Sequence, residues 1–389
     1  MIQAVISNST RRRRWILPLL SIATLVLISL GSSFHLVSEA FTSRSVNLTQ
    51  GINFSHWFFI PAEGDRITKS YLEKWINEAD VQSVVRLGFK HIRLPVDPDA
   101  LQPGWRRGNF QIDDLRLQYL DRAIDAIQKN QLTLILDIHP TRKLDLAAGT
   151  ASPDYKRLSD LWSVLSQRYN GSSRRIVYEI LNEPQTENAA LWRSIAQQLI
   201  NEIRQRDPSH HIIVPGSGLS GVYDLQEMQP LQGDRLIYTF HFYTPLQFTH
   251  QGASWVEHHR DLLNIPYPVA AASLPQAPPA GGSQWSTETL KLWKEYQKLP
   301  ANREGLRAEI ELAKQWSDQY QVPIYCGEYG VHDLAPKDDR YRWHADVTSV
   351  LKEVGIGGAV WSYRGNFGVI PDGQTEPDLN LIQALNVQT

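Results

Sequence analysis

Hydrophobic and polar positions alternate between two periods along this chain. Short apolar runs of strand length recur at "GINFS" (51–55), "HIRLP" (91–95), "LTLILDIH" (132–139), "RIVYEILNEP" (175–184), "HIIVPG" (211–216), "LIYTFHFY" (236–243), "VPIYCGEYG" (322–330) and "GGAVWSY" (357–363). Between them the period lengthens to that of an amphipathic helix. Leu117, Leu120, Ile124 and Ile127, for example, share one helical face. Other helical stretches cover residues 68–87, 158–169, 189–206, 303–320 and 340–354. Eight strand–helix units predict an α/β fold, a (β/α)8 TIM barrel. A doubly wound open sheet is the alternative, because alternation alone does not show closure.

Two stretches fall outside that rhythm. The first opens the chain: Arg11 to Arg14 precede an uncharged run from Trp15 to Ser38. Basic residues before an apolar stretch are the pattern of a signal peptide or a signal anchor over residues 1–40. The small residues Ser38 and Ala40 stand at cleavage spacing. Either reading exports residues 41–389, to an extracellular or periplasmic place or to a membrane surface held by residues 15–37. The second is a long insertion at about 244–302 containing "PYPVAAASLPQAPPAGG", too rich in Pro, Ala and Gly for a regular helix. An interval of that length inside a compact domain is a functional loop or a mobile one. It holds Trp255, Trp285 and Trp293, so it is expected to pack on something.

Composition narrows the function by exclusion. A net charge of −2 over 389 residues, with the basic excess confined to the N-terminus, is no nucleic-acid footprint. Cys326 is the single cysteine, so no internal disulfide marks the compartment. Twelve Trp and fifteen Tyr supply flat apolar faces of the kind that suit sugar rings.

In a parallel barrel the chemistry sits at the C-terminal ends of the strands. Those ends carry Ser55-His56-Trp57, Arg93, Asp137 with His139, Asn182-Glu183, Gly216-Ser217, His241 with Tyr243, Glu328-Tyr329 and Trp361-Ser362. Polar side chains at so many strand ends are hard to explain by packing alone. Glu183 is the sharpest case, a carboxylate wedged between Asn182 and Pro184 just past an apolar run. With Glu328 it forms the carboxylate pair that glycoside hydrolysis needs, one acid and one nucleophile or base. Arg93 is placed to keep one of them ionised, while burial raises the other. "GSGLSG" (216–221) has dinucleotide-loop spacing, but the acidic residue that should end the next strand is missing. His139, His241 and His332 lack metal-ligand spacing. Neither a cofactor nor a metal is expected.

"GINFSHWF", "IRLPV", "DIH", "LNEP", "HFYTP", "GEYG" and "VWSY", in that order, resemble the cellulase-type glycoside hydrolase family 5 over roughly residues 46–363. The resemblance implies Glu183 as acid/base and Glu328 as nucleophile. It also implies that Arg93 and Tyr243 contact the nucleophile and that Asn182 meets the sugar 2-hydroxyl. His139 and His241 would line the subsite of the cleaved sugar, with Trp361 as its aromatic floor. The activity implied is that of a retaining endo-β-1,4-glucanase on a polysaccharide or oligosaccharide, acting as a monomer. Pro140 and the long insertion depart from the commonest cellulases and leave the substrate open. Mannanase, exo-β-1,3-glucanase and glycosylceramidase activity remain on the same scaffold, as does a non-catalytic glycan-binding protein. The insertion is expected to border the substrate groove, with one or more of its Trp residues on glycan.

Overall fold

The computed structural model describes residues 46–60, 66–105, 111–172, 175–186, 188–269 and 285–387. The signal or anchor segment expected over 1–40 and the centre of the Pro/Ala-rich stretch lie outside them. Among the described residues, no helix is long and apolar enough to cross a membrane.

Eight parallel strands close on themselves among the described residues, which decides between barrel and open sheet. They are β1 (Gln50–Asn53), β2 (His91–Val96), β3 (Thr133–Ile138), β4 (Ile176–Glu179), β5 (His211–Pro215), β6 (Leu236–Phe242), β7 (Ile324–Tyr329) and β8 (Gly357–Val360), with β8 pairing back to β1. Each expected run holds its strand. The fourth differs in length: β4 stops at Glu179, so Ile180, Leu181 and Asn182 lie beyond it.

Alternation along the strands sorts side chains into two cores. Ile92, Leu94, Leu134, Leu136, Ile176, Tyr178 and Val214 face outward into the main core beneath the helices. Ile135, Val177, Ile213, Ile237, Tyr325 and Ala359 form a second apolar cluster. These alternate with the first set along each strand, so they fill the barrel interior. Gly51 belongs to the same interior, where a Cβ would lie 1.9 Å from the His91 ring.

The helices start where polar caps satisfy their free N–H groups. Ser152 caps the helix Pro153–Tyr169, and Asn188 caps Ala189–Arg204, whose buried face is Trp192, Ile195, Ala196, Leu199, Ile200 and Ile203. The stretch 68–87, read as one helix, is two: Lys69–Trp75 and Glu78–Arg86. Asn77 starts the second by accepting from Asp80 N at 2.9 Å, a local bond that outcompetes helix continuation.

Candidate active site

The inward positions of β2, β3 and β4 continue, above the apolar interior, into a charged layer. Arg93, Asp137, Glu179 and Asn53 are all fully buried there. The Arg93 guanidinium is their hub. Its Nε and Nη2 donate to the two Glu179 oxygens, each at 2.8 Å, in a fork-on-fork pair. Nη2 also reaches Asn182 Oδ1 (2.8 Å) and Asp137 Oδ2 (3.0 Å). Nη1 donates to Asn53 Oδ1 (3.0 Å) and to Glu328 Oε1 (2.7 Å).

Glu328 owes its place to a register shift. Phe240 of β6 pairs with Cys326, but the next residue, His241, pairs with Glu328, so Gly327 is an extra residue on β7. Such a bulge re-aims the following side chain. Asn53 Nδ2 donates to Gly327 O (3.1 Å) and ties the bulge to the Arg93 hub. The second Glu328 oxygen accepts from the Tyr243 hydroxyl at 2.8 Å. Both oxygens are therefore held, by Arg93 and by Tyr243.

Glu183 stands opposite on the turn that leaves β4. Asn182 N donates to Ile138 O (2.8 Å), and Gln185 N and Gly218 O meet at 2.7 Å, so the turn is fastened on both sides. The second of these contacts comes from the "GSGLSG" turn. Gly218 has φ +62°, and a Cβ on it would lie 2.6 Å from the Asp224 carboxylate that fills this turn. His241 Nδ1 lies 2.9 Å from Glu183 Oε1 and 3.7 Å from Glu328 Oε2. The Glu183 side chain is 23% exposed and that of Glu328 6%, so Glu183 is the more accessible of the two carboxylates. Oxygens of both, with a His241 nitrogen, lie within 4.8 Å of one another. Those three atoms are close enough to hold a cation, but the Arg93 guanidinium against Glu328 disfavours a second positive charge there.

His139 completes the charged layer at one edge. Its Nδ1 is 2.7 Å from Asp137 Oδ2, and its ring lies 3.9 Å from Phe59 and 5.7 Å from Trp361. Trp361, half-buried, is anchored by Trp361 N donating to Tyr329 O at 2.8 Å.

Environment divides these carboxylates. Burial alone would raise Glu328; the charges of His241, Arg93 and His139 and the Tyr243 hydroxyl outweigh it and hold Glu328 well below the usual carboxylate range. Burial dominates at Asp137, which is pushed up to about 7 although Arg93 opposes the shift, and Glu179 is raised for the same reason. Burial lowers His139 to about 4. His241 is raised, because Glu328 and Glu183 together outweigh its burial.

All eight expected site residues, Glu183, Glu328, Arg93, His139, Asn182, His241, Tyr243 and Trp361, thus lie at the C-terminal ends of the strands in one connected network of contacts. Sequence reasoning passed over Glu179, which it absorbed into an apolar strand, and gave Asn53 and Asp137 no role. The signal was available: Glu179 is two residues from Val177 and so shares its inward face.

The sequence pattern "Cellulase (glycosyl hydrolase family 5)" matches residues 61–367. The chain is 29% identical to endoglucanase C of Acetivibrio thermocellus over 326 residues, 82% of this chain and 92% of that one. It is 28% identical to endoglucanase 3 of Fibrobacter succinogenes over 84% of this chain and 51% of that one. The crystal structure of endoglucanase Cel5A from Thermotoga maritima superposes with a TM-score of 0.69 at 24% identity, covering 87% of this chain and 97% of the other, a likeness of fold. The family match spans most of the chain, which therefore belongs to the cellulase family, glycosyl hydrolase family 5, and is a glycoside hydrolase.

Proposed function

We propose that the protein cleaves β-1,4-linked glucan chains internally with retention of configuration, Glu328 acting as nucleophile and Glu183 as acid/base. The observation that carries this reading is the separation of the two carboxylates. One oxygen of each lies within 4.8 Å of the other, nearer to the carboxyl spacing of retaining enzymes, about 5–5.5 Å, than to the roughly 6.5–9.5 Å that admits the water of an inverting one. Glucan as the substrate is supported by relatives named endoglucanases.

The chemistry then runs in two displacements. Glu183 gives its proton to the glycosidic oxygen as Glu328 attacks the anomeric carbon, so the C–O bond breaks as the ester forms. The aglycone sugar leaves with the proton. Glu183, now a carboxylate, takes a proton from water, whose oxygen attacks the same carbon and releases Glu328. The low pKa of Glu328 suits this role, because the attacking group must be ionised and becomes a good leaving group in the second step. Arg93 and Tyr243 hold its two oxygens in one orientation. Asn182, fixed by Arg93, would meet the 2-hydroxyl; His139 and His241 would line the cleaved-sugar subsite over the Trp361 ring.

A reducing-sugar assay on soluble β-1,4-glucan, mixed-linkage glucan, β-mannan and β-1,3-glucan tests the substrate. Release from β-1,4-glucan with a rapid fall in viscosity is expected. Activity confined to mannan or β-1,3-glucan would overturn the substrate, and activity on none would overturn the enzyme reading.

The same proposal extends to the cell. Residues 1–40, with Arg11 to Arg14 before the uncharged run, export the barrel of residues 41–389 and either leave by cleavage after Ala40 or stay as an anchor. N-terminal sequencing of the fractionated protein decides between these, and an intact chain in the soluble cytoplasm would refute both. Every group named for the chemistry comes from one barrel, which supports action as a monomer; light scattering of the purified protein tests that.

A further inference from the structure

The turn "GSGLSG" (216–221) lies between β5 and a short helix, Val222–Gln226, and no step of the reaction runs through it. It has the spacing of a dinucleotide loop, yet the chain itself occupies its donors. Asp224, half-buried on the short helix, accepts from Gly221 N at 2.9 Å and also from Leu219 N. Its carboxylate thus takes the N–H groups that such a loop offers to a phosphate. A Cβ on Gly218 would lie 2.6 Å from Asp224 Oδ1, so the bare glycine and the carboxylate fit each other.

This turn holds the acid side of the site. Gly218 N donates to Thr186 O (3.1 Å), and Gln185 N to Gly218 O (2.7 Å), a pair of bonds on the segment that follows Glu183. Only Pro184 separates Gln185 from Glu183, and its ring fixes φ, so a clamp at Gln185 is passed to the Glu183 backbone. Gln185 has φ +52°, a left-handed conformation that is disfavoured for a residue with a Cβ and that these bonds support. On its other flank the turn binds β6, where His241 N donates to Ser220 O at 2.7 Å. His241 is the residue whose Nδ1 lies 2.9 Å from Glu183 Oε1. Both members of that contact therefore hang from one turn, and Asp224 braces it from within. Glu328 is held by a different set: Arg93, Tyr243 and the bulge at Gly327.

We propose that Asp224 is a positioning residue for this reaction: it braces the 216–221 turn, which aims Glu183 and His241 at the glycosidic oxygen. The proposal rests on the reading of Glu183 as acid/base. Proton transfer needs close and directed contact, so a displaced Glu183 loses catalysis while Glu328 keeps its aim. The loss then falls on the steps that move a proton. Departure of a sugar needs the acid, whereas departure of an aryl group of low pKa does not. Release of the ester needs Glu183 again, as base, whatever group left first.

Asp224→Ala, Asp224→Asn and Gly218→Ala in the intact chain, beside Glu183→Ala, test this by kcat/KM on two substrates. One is an oligosaccharide of the glycan that the wild type cleaves, the other the dinitrophenyl glycoside of the same sugar. The ratio of the two values does not depend on how much of a variant is folded, so a merely structural role leaves it unchanged. Asp224→Ala should lose about tenfold on the oligosaccharide and less than about twofold on the dinitrophenyl glycoside. On the latter its kcat should drop after a burst of dinitrophenol, because the ester waits for its base. Gly218→Ala should shift the ratio the same way with Asp224 in place. Asp224→Asn, which keeps an acceptor for Gly221 N, should recover most of the ratio. Should Asp224→Ala not fold, Gly218→Ala decides by the same measure. A split in Glu183→Ala with equal losses, or none, on both substrates in Asp224→Ala and Gly218→Ala would overturn the positioning role. No split in Glu183→Ala itself would overturn the acid reading, and this proposal with it.

Discussion

Inside the barrel, one level is apolar and the next is charged, although the same strands build both. Ile135 of β3 pairs in register with Val177 of β4, and two residues further on Asp137 pairs with Glu179. The lower pair belongs to an apolar cluster with Ile213, Ile237, Tyr325 and Ala359. The upper pair closes on Arg93. Strand period explains why all of these side chains point inward, and it is indifferent to their charge. Physical cost is not indifferent, since each buried ion loses several kcal/mol of hydration that its partners must offset. A layer of Asp137, Glu179, Glu328 and Arg93 is thus a poor way to stabilise a barrel. It is a good way to hold one carboxylate, Glu328, ionised in a fixed direction. The lower level serves the fold, and the upper level serves the reaction.

The strongest way to separate the levels is to remove the proposed acting groups. Glu328→Ala should abolish turnover on every substrate while leaving the fold intact, as circular dichroism would show. Glu183→Ala should cost about 10²–10⁴-fold on polysaccharide, where the leaving oxygen needs a proton, and far less on aryl glycosides with good leaving groups. Equal losses on both substrate types would break the assignment of the acid.

Removing the hub comes next. Arg93→Met leaves Asp137, Glu179 and Glu328 buried without their counter-charge, and urea denaturation should show a loss of about 3–5 kcal/mol. Activity should fall as well, because Glu328 would no longer be held charged. If Arg93→Met were as stable as the wild type, the upper level would not be the linked charge network that its distances suggest.

A subtler difference lies in the pH dependence of stability, where the carboxylates differ in sign. Glu328 has a lowered pKa in the folded state, so its contribution is present above the unfolded-state value of about 4.3 and is lost as pH falls further, toward its folded pKa. Asp137 is raised to about 7, so its contribution is full below the unfolded value of about 3.9 and is lost as pH rises through about 7. Burial sets that shift, with Glu328 adding to it and Arg93 and His241 opposing it; His139 also lies against Asp137. Asp137→Asn should therefore make the unfolding free energy fall less steeply between pH 4 and 7 than in the wild type. An unchanged slope in that window would count against a raised Asp137.

The smallest effect is expected at the apolar level. Ile135→Val should cost only about 0.5–1.5 kcal/mol and leave kcat on polysaccharide unchanged. A large kinetic effect there would show that the two levels are coupled more tightly than the separation above allows.

How much of this was legible in the sequence follows from the same alternation. The barrel was readable because its strands are apolar runs flanked by helices of different period. Glu183 and Glu328 were readable because each stands beyond such a run. Glu179 was not, because Tyr178, Ile180 and Leu181 around it read as one buried strand, and β4 ends earlier than that run does. The inward face became plain only once Asp137 and Glu179 were seen in register. The bulge at Gly327 was also hidden, since only the pairing of His241 with Glu328 reveals an extra residue. The break at Asn77 was within reach: Asn77 with Asp80 three residues on is a helix-start pattern that the apolar period masked. Trp255 was read only as one of three Trp residues, because nothing local in the sequence separates its exposed ring from the buried Trp293.

The stereochemistry of the first product tests the proposed roles of Glu183 and Glu328 most directly. Proton NMR of a fresh digest, read before mutarotation, should show the β-anomer first. That result requires two displacements at the anomeric carbon and a carboxylate close enough to attack it. An α-anomer appearing first would contradict Glu328 as nucleophile and would require a water between the two carboxylates.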